Sequence, residues 1–275
     1  MITMALPTFR SNKILWLQLE SLCRQVTNHP WELILCEEIS AYYSGVNYLE
    51  KYRDRLKKAG CINIKLIPLV EHVPLSKKWS IIANEAQFDY FALVASDNYS
   101  HPERIQDSVD KLNEGYEWVD WSYGMFLNVN DFSSAVFENP DPDKTSLFMA
   151  TKTEFIKKLK GPWPRSGIDG WIRNGNNITK HFKYDYFPDG LHTDGCNQIS
   201  HKRRTFYSKG KFQAPYFPPI ASNEWTSLIP ESVARELKER FIKTKSLFEN
   251  IPLKGKNLDH TKRPAHLPRL KKSLK

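Results

Sequence analysis

Residues 75–98, LSKKWSIIANEAQFDYFALVASDN, are the stretch that decides the fold. The spacing of apolar residues in 78–86 predicts a helix, and the apolar run 90–95 predicts a buried strand. That strand leads directly into a Ser-Asp-Asn turn centred on Asp97. A carboxylate placed where a buried strand surfaces is unfavourable unless it is hydrogen-bonded, paired or bound to a cation. The turn is therefore either an ordinary Asp-Asn turn before a helix that starts at Pro102, or part of a ligand site.

The residues before this stretch alternate apolar runs with amphipathic segments. Apolar runs at 2–6, 33–36 and 62–67 predict three further strands. Two segments between these strands carry apolar residues at helical spacing: Leu15, Leu19, Leu22 and Val26 in the first, and Val46, Leu49, Tyr52 and Leu56 in the second. Alternating helices and near-continuous apolar strands predict an α/β fold whose mostly parallel sheet is covered on both faces.

Polar residues follow three of these strands at their carboxyl ends. In parallel α/β sheets, ligands bind in the crevice outside those ends. We therefore expect the three groups to contact a polar ligand together. They are Thr8 and Arg10 after the first strand, Glu37 and Glu38 after the second, and Ser96, Asp97 and Asn98 after the fourth.

The second half of the chain has a different pattern. Aromatic residues recur at short intervals, which predicts longer, antiparallel strands and extended loops. The predicted elements are strands at 117–129, 147–150 and 178–186, a short helix at 153–159, a loop at 188–211 and an amphipathic helix at 230–248. A basic, proline-rich tail begins at Lys254.

The composition restricts the class of protein. The chain has 275 residues, of which 40% are hydrophobic and 13% aromatic, so it can bury a sizeable core. Its net charge of +9 favours polyanionic partners such as nucleic acid, anionic lipid or phosphorylated substrates. No apolar run approaches the length of a membrane span, and the first residues lack the pattern of a signal peptide.

The cysteines indicate packing rather than metal binding. Cys23, Cys36, Cys61 and Cys196 include no Cys-x-x-Cys pair, which argues against a zinc ribbon. The first three lie in apolar segments, so we expect them in the core. Such usage fits a reducing cytoplasm, which is the expected location of the protein.

Four stretches, taken in order, resemble a known family. They are MALPTFRSNKILWLQLESL at 4–22, LILCEE at 33–38, the helix and strand at 75–98, and SGIDGWIRNG at 166–175. Over most of its length the chain resembles a nucleotide-sugar glycosyltransferase of the GT-A fold, family-two type. The resemblance implies a Rossmann-like, mixed and mostly parallel sheet flanked by helices, with a C-terminal helix and a basic tail.

The resemblance also implies a reaction. The enzyme would invert the anomeric centre while moving a sugar from a nucleotide-diphosphate donor, with UDP expected, to an acceptor hydroxyl. Mn²⁺ or Mg²⁺ would stabilise the leaving diphosphate. Asp97 matches the metal-binding aspartate, and a late histidine matches a further ligand, with His192 preferred over His201. The family usually has two acids separated by one residue, whereas Asp97 stands alone, so a ligand from Asn98 or water, or a site without metal, stays open.

The last of the four stretches carries the residues that resemble the catalytic ones. Asp169 matches the base that takes the proton of the acceptor hydroxyl. The alternative for Asp169 is an ordinary helix N-cap. Trp163 and Trp171 are expected to contact the acceptor, although aromatic residues also pack in cores. Arg173 is expected to pair with phosphate or to brace Asp169.

The remaining residues implied by the resemblance divide into donor and acceptor contacts. The donor contacts are Pro7, Thr8, Arg10, Glu37, Glu38, Lys78, Ser96, Asp97 and Arg173. The acceptor contacts add Lys202, Arg203 and Arg204 to the two tryptophans. In the family this basic region often closes over the diphosphate, and a solvated basic loop is the alternative.

We expect a glycosyltransferase domain at 1–220, with a nucleotide-sugar-binding half at 1–100 and an acceptor-binding half at 101–220. The helix and tail occupy 221–275. The basic tail favours DNA, so the preferred acceptor is a hydroxymethylated base in bacteriophage DNA, flipped out of the duplex. A cell-surface polysaccharide is the alternative acceptor. A non-catalytic nucleic-acid-binding protein and a nucleotidyltransferase are the other classes considered.

Overall fold

The computed structural model describes residues 1–8, 14–38, 45–128, 134–138, 147–164, 168–184, 191–194, 207–208, 211–212 and 229–248. Its helices are α1 (Leu15–Leu22), α2 (Gly45–Lys58), α3 (Leu75–Glu85), α4 (Arg104–Asn113), α5 (Thr153–Lys157), α6 (Ile168–Gly175) and α7 (Glu231–Phe248). Its strands are β1 (Ile2–Thr8), β2 (Trp31–Glu38), β3 (Cys61–Leu69), β4 (Tyr90–Leu93), β5 (Asn98–Tyr99), β6 (Trp118–Trp121), β7 (Tyr123–Asn128), β8 (Ser134–Glu138), β9 (Leu147–Lys152), β10 (His181–Tyr184), β11 (Leu191–Asp194), β12 (Tyr207–Ser208) and β13 (Lys211–Phe212). None of the described helices is both long and apolar enough to span a bilayer.

The largest sheet has seven strands in the order β10-β6-β9-β4-β1-β2-β3. Strand β1 pairs in parallel with β2 and with β4, and β2 pairs in parallel with β3. Strand β6 is parallel to β10, whereas β9 lies between β4 and β6 and is antiparallel to both. The prediction of a mixed, mostly parallel sheet flanked by helices is therefore confirmed.

The apolar strands contribute to two cores, one on each face of this sheet. Met4 and Leu6 of β1 join a core that includes α1, α2, α4 and α7. Ala5 joins a second core that includes α3, α5 and α6. Strand β2 shows the same alternation. Successive residues of a strand point to opposite faces, so a strand covered on both faces must be apolar throughout.

A smaller sheet continues from the carboxyl end of β4. It has the order β5-β11-β7-β8, in which β11 is antiparallel to β5 and parallel to β7. The prediction of a loop at 188–211 is wrong, because β11 and β12 lie within this range. Strand β11 has only four residues without an apolar alternation. Its partners come from distant parts of the chain, so a local sequence pattern does not reveal it.

Several element boundaries differ from the predicted ones. Helix α1 ends at Leu22, which leaves Val26 outside the helix and 64% exposed. Pro7 and Pro68 lie inside β1 and β3 instead of ending them. Proline is tolerated in a strand where the missing N–H has no ladder role. Pro7 lies beyond Ala5, where the pairing of β1 with β4 stops. Pro68 lies in β3, which is an edge strand of the large sheet.

The described cysteines pack as predicted. Cys36 and Cys61 are buried, Cys23 is half-buried, and none of the three is in a disulfide. Burial raises the pKa of the Cys36 thiol to about 11, so this thiol stays protonated at neutral pH. Cys196 lies outside the described residues.

A buried histidine makes stability depend on pH. His101 is 4% exposed, and its ring meets the edge of Trp121 with centroids 5.0 Å apart. Burial and the Arg104 charge lower the pKa of His101 to about 3. Asp107 lies 4.0 Å from Nε2, too far for a hydrogen bond that would offset these effects.

We therefore predict that stability falls as the pH drops below 6.5. The unfolded chain takes up a proton on His101 near pH 6.5, whereas the native chain resists protonation until about pH 3. The expected contribution is up to about 1.4 kcal/mol per pH unit. Thermal unfolding of the wild type and of His101→Gln from pH 7 to pH 5 measures this effect. The variant should show the shallower decline, and parallel curves would contradict the assignment.

Candidate functional site

The carboxyl ends of the parallel strands meet at one edge of the large sheet. Strand β1 ends at Thr8, which pairs in register with Glu37 of β2. Strand β4 ends beside them, because the Val94 N–H donates a hydrogen bond to the Ala5 carbonyl at 3.0 Å. The structure thus brings the predicted donor-binding strand ends to the same edge.

A buried ion pair connects β1, β2 and α3 at this edge. The Lys78 ammonium donates to the Thr8 carbonyl at 2.7 Å and to Glu38 Oε1 at 2.6 Å. His72 Nδ1 lies 3.0 Å from Glu38 Oε2, and the Val73 N–H donates to Oε1 at 3.4 Å. The Lys78 side chain is 3% exposed and that of Glu38 12%, so solvent screens the pair weakly. Lys78 therefore fixes the Glu38 carboxylate, a contact that the sequence pattern does not reveal.

The Thr8 side chain adds a polar group to the same edge. Its hydroxyl is buried and has no hydrogen-bond partner in the described part of the chain. Native proteins leave few buried polar atoms unsatisfied, and those few need an explanation. Thr8 is the last residue of β1, so this hydroxyl lies at the carboxyl end of the strand.

The Asp97 turn joins the large sheet to the small one. Ser96 and Asn98 are buried, whereas Asp97 between them is partly exposed. Asn98 begins β5, and the antiparallel register sets it opposite His192 of β11. The predicted metal ligands are Asp97 and His192, and the backbone of Asp97 is one residue from the position that pairs with His192. The side chain of His192 lies outside the described part, and the described side chains form no cluster of three or more His, Cys, Asp or Glu.

Helix α6 carries the predicted base. Asp169 is the second residue of the helix and is partly exposed. It lies in the first turn, so the N-cap alternative is wrong. Arg173 follows four residues later and shares its side of the helix. Ile168 and Ile172 are buried in the core shared with α3, which anchors α6 to the large sheet.

The two predicted acceptor tryptophans contact each other. The rings of Trp163 and Trp171 meet edge to face, with centroids 5.8 Å apart and planes at 69°. Both are half-buried and pack against the core that contains α3 and α6. The Ser76 hydroxyl donates to the Pro164 carbonyl at 2.8 Å and ties this loop to α3. Core packing thus fixes the pair while part of each ring stays accessible.

The remaining predicted residues are placed only in part. Pro7 is buried within β1. The other predicted contacts lie outside the described residues: Arg10, Lys202, Arg203, Arg204 and the alternative ligand His201.

The mostly parallel sheet with helices on both faces matches solved structures of the GT-A fold. Solved structures with a similar fold include TarS from S. aureus. No family model matches the sequence. No curated protein matches it either.

The similarity to TarS extends over most of the chain. TarS 1–349 in complex with UDP-GlcNAc aligns with a TM-score of 0.54 and 14% identity, over 92% of this chain and 76% of that one. The complex of the same fragment with UDP gives 0.53 and 19%, over 70% and 60%. Another TarS structure gives 0.53 and 17%, and the match covers 36% of its length. At these identities the likeness establishes the fold.

We predict that the buried ion pair stabilises the native protein. Lys78→Met leaves the Glu38 carboxylate shielded from solvent without its cation, which should lower the free energy of unfolding by about 3 kcal/mol. The adjacent Lys77 is exposed, so Lys77→Met removes the same charge and serves as the matched control. Urea denaturation of both variants measures the difference. Equal effects of the two substitutions would contradict a structural role for the pair.

Proposed function

We propose that the chain is an inverting glycosyltransferase that uses a nucleotide-diphosphate sugar, UDP-linked, as its donor. The observation that carries the proposal is that β1, β2 and β4 run in parallel and end on one side of the sheet, with Thr8 and Glu38 as the last residues of β1 and β2 and Asp97 in the turn after β4. Ligands of open α/β sheets bind at this edge. The TarS structures with UDP and UDP-GlcNAc support the donor class, because they share this fold.

A divalent cation, Mn²⁺ or Mg²⁺, fits the Asp97 turn. Both cations prefer oxygen ligands, and a partly exposed carboxylate beside buried Asn98 offers such oxygens. His192 is the proposed further ligand, supported by its register with Asn98. When bound, the cation would neutralise charge that develops on the leaving diphosphate.

Asp169 is the proposed catalytic base. The acceptor oxygen attacks the anomeric carbon, the bond from that carbon to the diphosphate oxygen breaks, and Asp169 takes the hydroxyl proton. Attack opposite the leaving group inverts the anomeric centre. Arg173 on the same helix is proposed to contact phosphate or to brace Asp169. Glu37, Glu38 and Thr8 are proposed to contact the donor, while Lys78 acts through Glu38.

For the acceptor we propose a hydroxymethylated base in bacteriophage DNA. The net charge of +9 supports a polyanionic acceptor. The half-buried pair of Trp163 and Trp171 supports stacking on a flat or apolar face of the acceptor. A cell-surface polysaccharide is the alternative, since sugars also stack on tryptophan.

We predict that two substitutions separate binding from chemistry. Asp169→Asn removes the base and should lower kcat by about 100-fold or more without weakening UDP binding. Asp97→Asn should weaken Mn²⁺-dependent UDP binding and lower activity. Asp89→Asn is the matched control, because Asp89 is exposed just before β4 at the opposite edge of the sheet. UDP release from UDP-glucose and UDP-GlcNAc, with duplex DNA containing hydroxymethylcytosine as acceptor, provides the assay.

The products distinguish this proposal from its alternatives. Release of pyrophosphate would identify a nucleotidyltransferase. DNA binding that survives both substitutions, without any release of UDP, would identify a nucleic-acid-binding protein. Transfer to a polysaccharide but not to DNA would contradict the proposed DNA acceptor and leave the assignment as a glycosyltransferase in place. Full transfer activity in both variants would contradict the site assignment.

A further inference from the structure

Buried side chains from two helices hold the backbone on both sides of Asp97. Arg104 of α4 donates to the carbonyl of Leu93, the last residue of β4, at 2.8 Å. The side-chain amide of Gln18 in α1 is oriented with its nitrogen toward two backbone carbonyls and its oxygen toward two serine hydroxyls. The nitrogen donates to the Ala95 carbonyl at 3.1 Å and to the Asn98 carbonyl at 2.9 Å. The turn is therefore anchored before and after Asp97.

A serine hydroxyl connects the two anchoring side chains. Arg104 donates to Ser100 Oγ at 2.9 Å, and the Gln18 side chain lies 3.1 Å from the same atom. Ser21, one turn along α1 from Gln18, adds a hydroxyl at 3.0 Å from the Gln18 amide. We call Gln18, Ser100 and Arg104 the turn clamp.

The turn clamp is enclosed by protein. Gln18 and Ser100 are 0% exposed and Arg104 is 1% exposed. Burial lowers the pKa of the Arg104 guanidinium to about 9, so it still carries its charge at neutral pH. Apolar residues of α1 and α4 already pack these helices against the sheet. A buried cation and a buried amide add little to such packing and are unfavourable unless their hydrogen bonds have a particular use.

We infer that Gln18 and Arg104 are positioning residues that hold Asp97 in the geometry needed to bind a divalent cation. The inference rests on the proposed function. A backbone held on both sides of Asp97 limits the positions that its carboxylate can take, and such preorganisation favours binding of a cation. The same amide holds Asn98, whose strand pairs with the strand of His192. The turn clamp thus holds the Asp97 turn and the start of β5, the strand that pairs with the His192 strand.

The test compares two buried glutamines in the full chain. Gln18→Leu removes both hydrogen bonds to the Asp97 turn. Gln25→Leu is the matched control: Gln25 is 6% exposed, but it bonds to the Ser21 and His101 carbonyls and the Ile105 N–H, beyond the turn. Electron paramagnetic resonance of free Mn²⁺ gives the metal affinity in the presence of UDP, and calorimetry gives the affinity for UDP alone.

For Gln18→Leu we expect Mn²⁺ affinity at least about tenfold weaker, with the affinity for UDP alone changed less than twofold. For Gln25→Leu we expect a lower melting temperature and unchanged Mn²⁺ affinity. Amide hydrogen exchange of residues 94–100 should speed up in the first variant only. Arg104→Lys keeps the charge and a hydrogen-bonding group at the end of the side chain, so it should lose less Mn²⁺ affinity than Arg104→Met. If Gln18→Leu does not fold, the comparison of Arg104→Lys with Arg104→Met tests the inference instead.

The outcomes separate this inference from the proposed function. Wild-type affinity for Mn²⁺ in Gln18→Leu and Arg104→Met would overturn the positioning role while leaving the metal site in place. Equal losses in Gln18→Leu and Gln25→Leu would also overturn it, because they would indicate general destabilisation. Wild-type protein that binds UDP but no Mn²⁺ would overturn the metal assignment of the proposed function, and the positioning role with it.

Discussion

The site depends on the parallel pairing of β1 with β2 and β4. Every residue of β1 is buried, and its side chains pack into a different core on each face of the sheet. A shift of register by one residue would send each side chain to the opposite face, so that neither core keeps the side chains it packs around. The register of β1 against β2 therefore sets Thr8 opposite Glu37, and the pairing of β1 with β4 places the start of the Asp97 turn on the same side of the sheet.

Buried polar groups are satisfied differently at the amino ends and at the carboxyl ends of the parallel strands, which we call the amino edge and the carboxyl edge. At the amino edge, the Glu32 carboxylate accepts hydrogen bonds from the Thr3 hydroxyl, the Asn63 amide and the Gln87 N–H. That network is closed. At the carboxyl edge, the Thr8 hydroxyl has no partner among the described residues, and the Lys78 ammonium that pairs with Glu38 donates to the carbonyl of the same threonine. This asymmetry supports the carboxyl edge as the ligand side.

Sequence patterns predict the parts of this fold that follow from local periodicity. The four apolar strands and the helices between them were predictable because strands covered on both faces must be apolar throughout. The short strands β5 and β11 were not, since their stability comes from partners distant in the chain. Asp97, Glu38 and Asp169 were found as candidates from strand ends and motif order. The turn clamp was not, because a polar Gln18 within an apolar helix gives no sign of what it contacts.

We propose that UDP and a divalent cation bind at the carboxyl edge with Asp97 as a metal ligand. Anomalous diffraction from crystals grown with UDP and Mn²⁺ tests it most directly. We expect a manganese peak about 2–2.5 Å from an Asp97 carboxylate oxygen, with the diphosphate beside it. A nucleotide bound elsewhere, or a manganese peak away from Asp97, would contradict it.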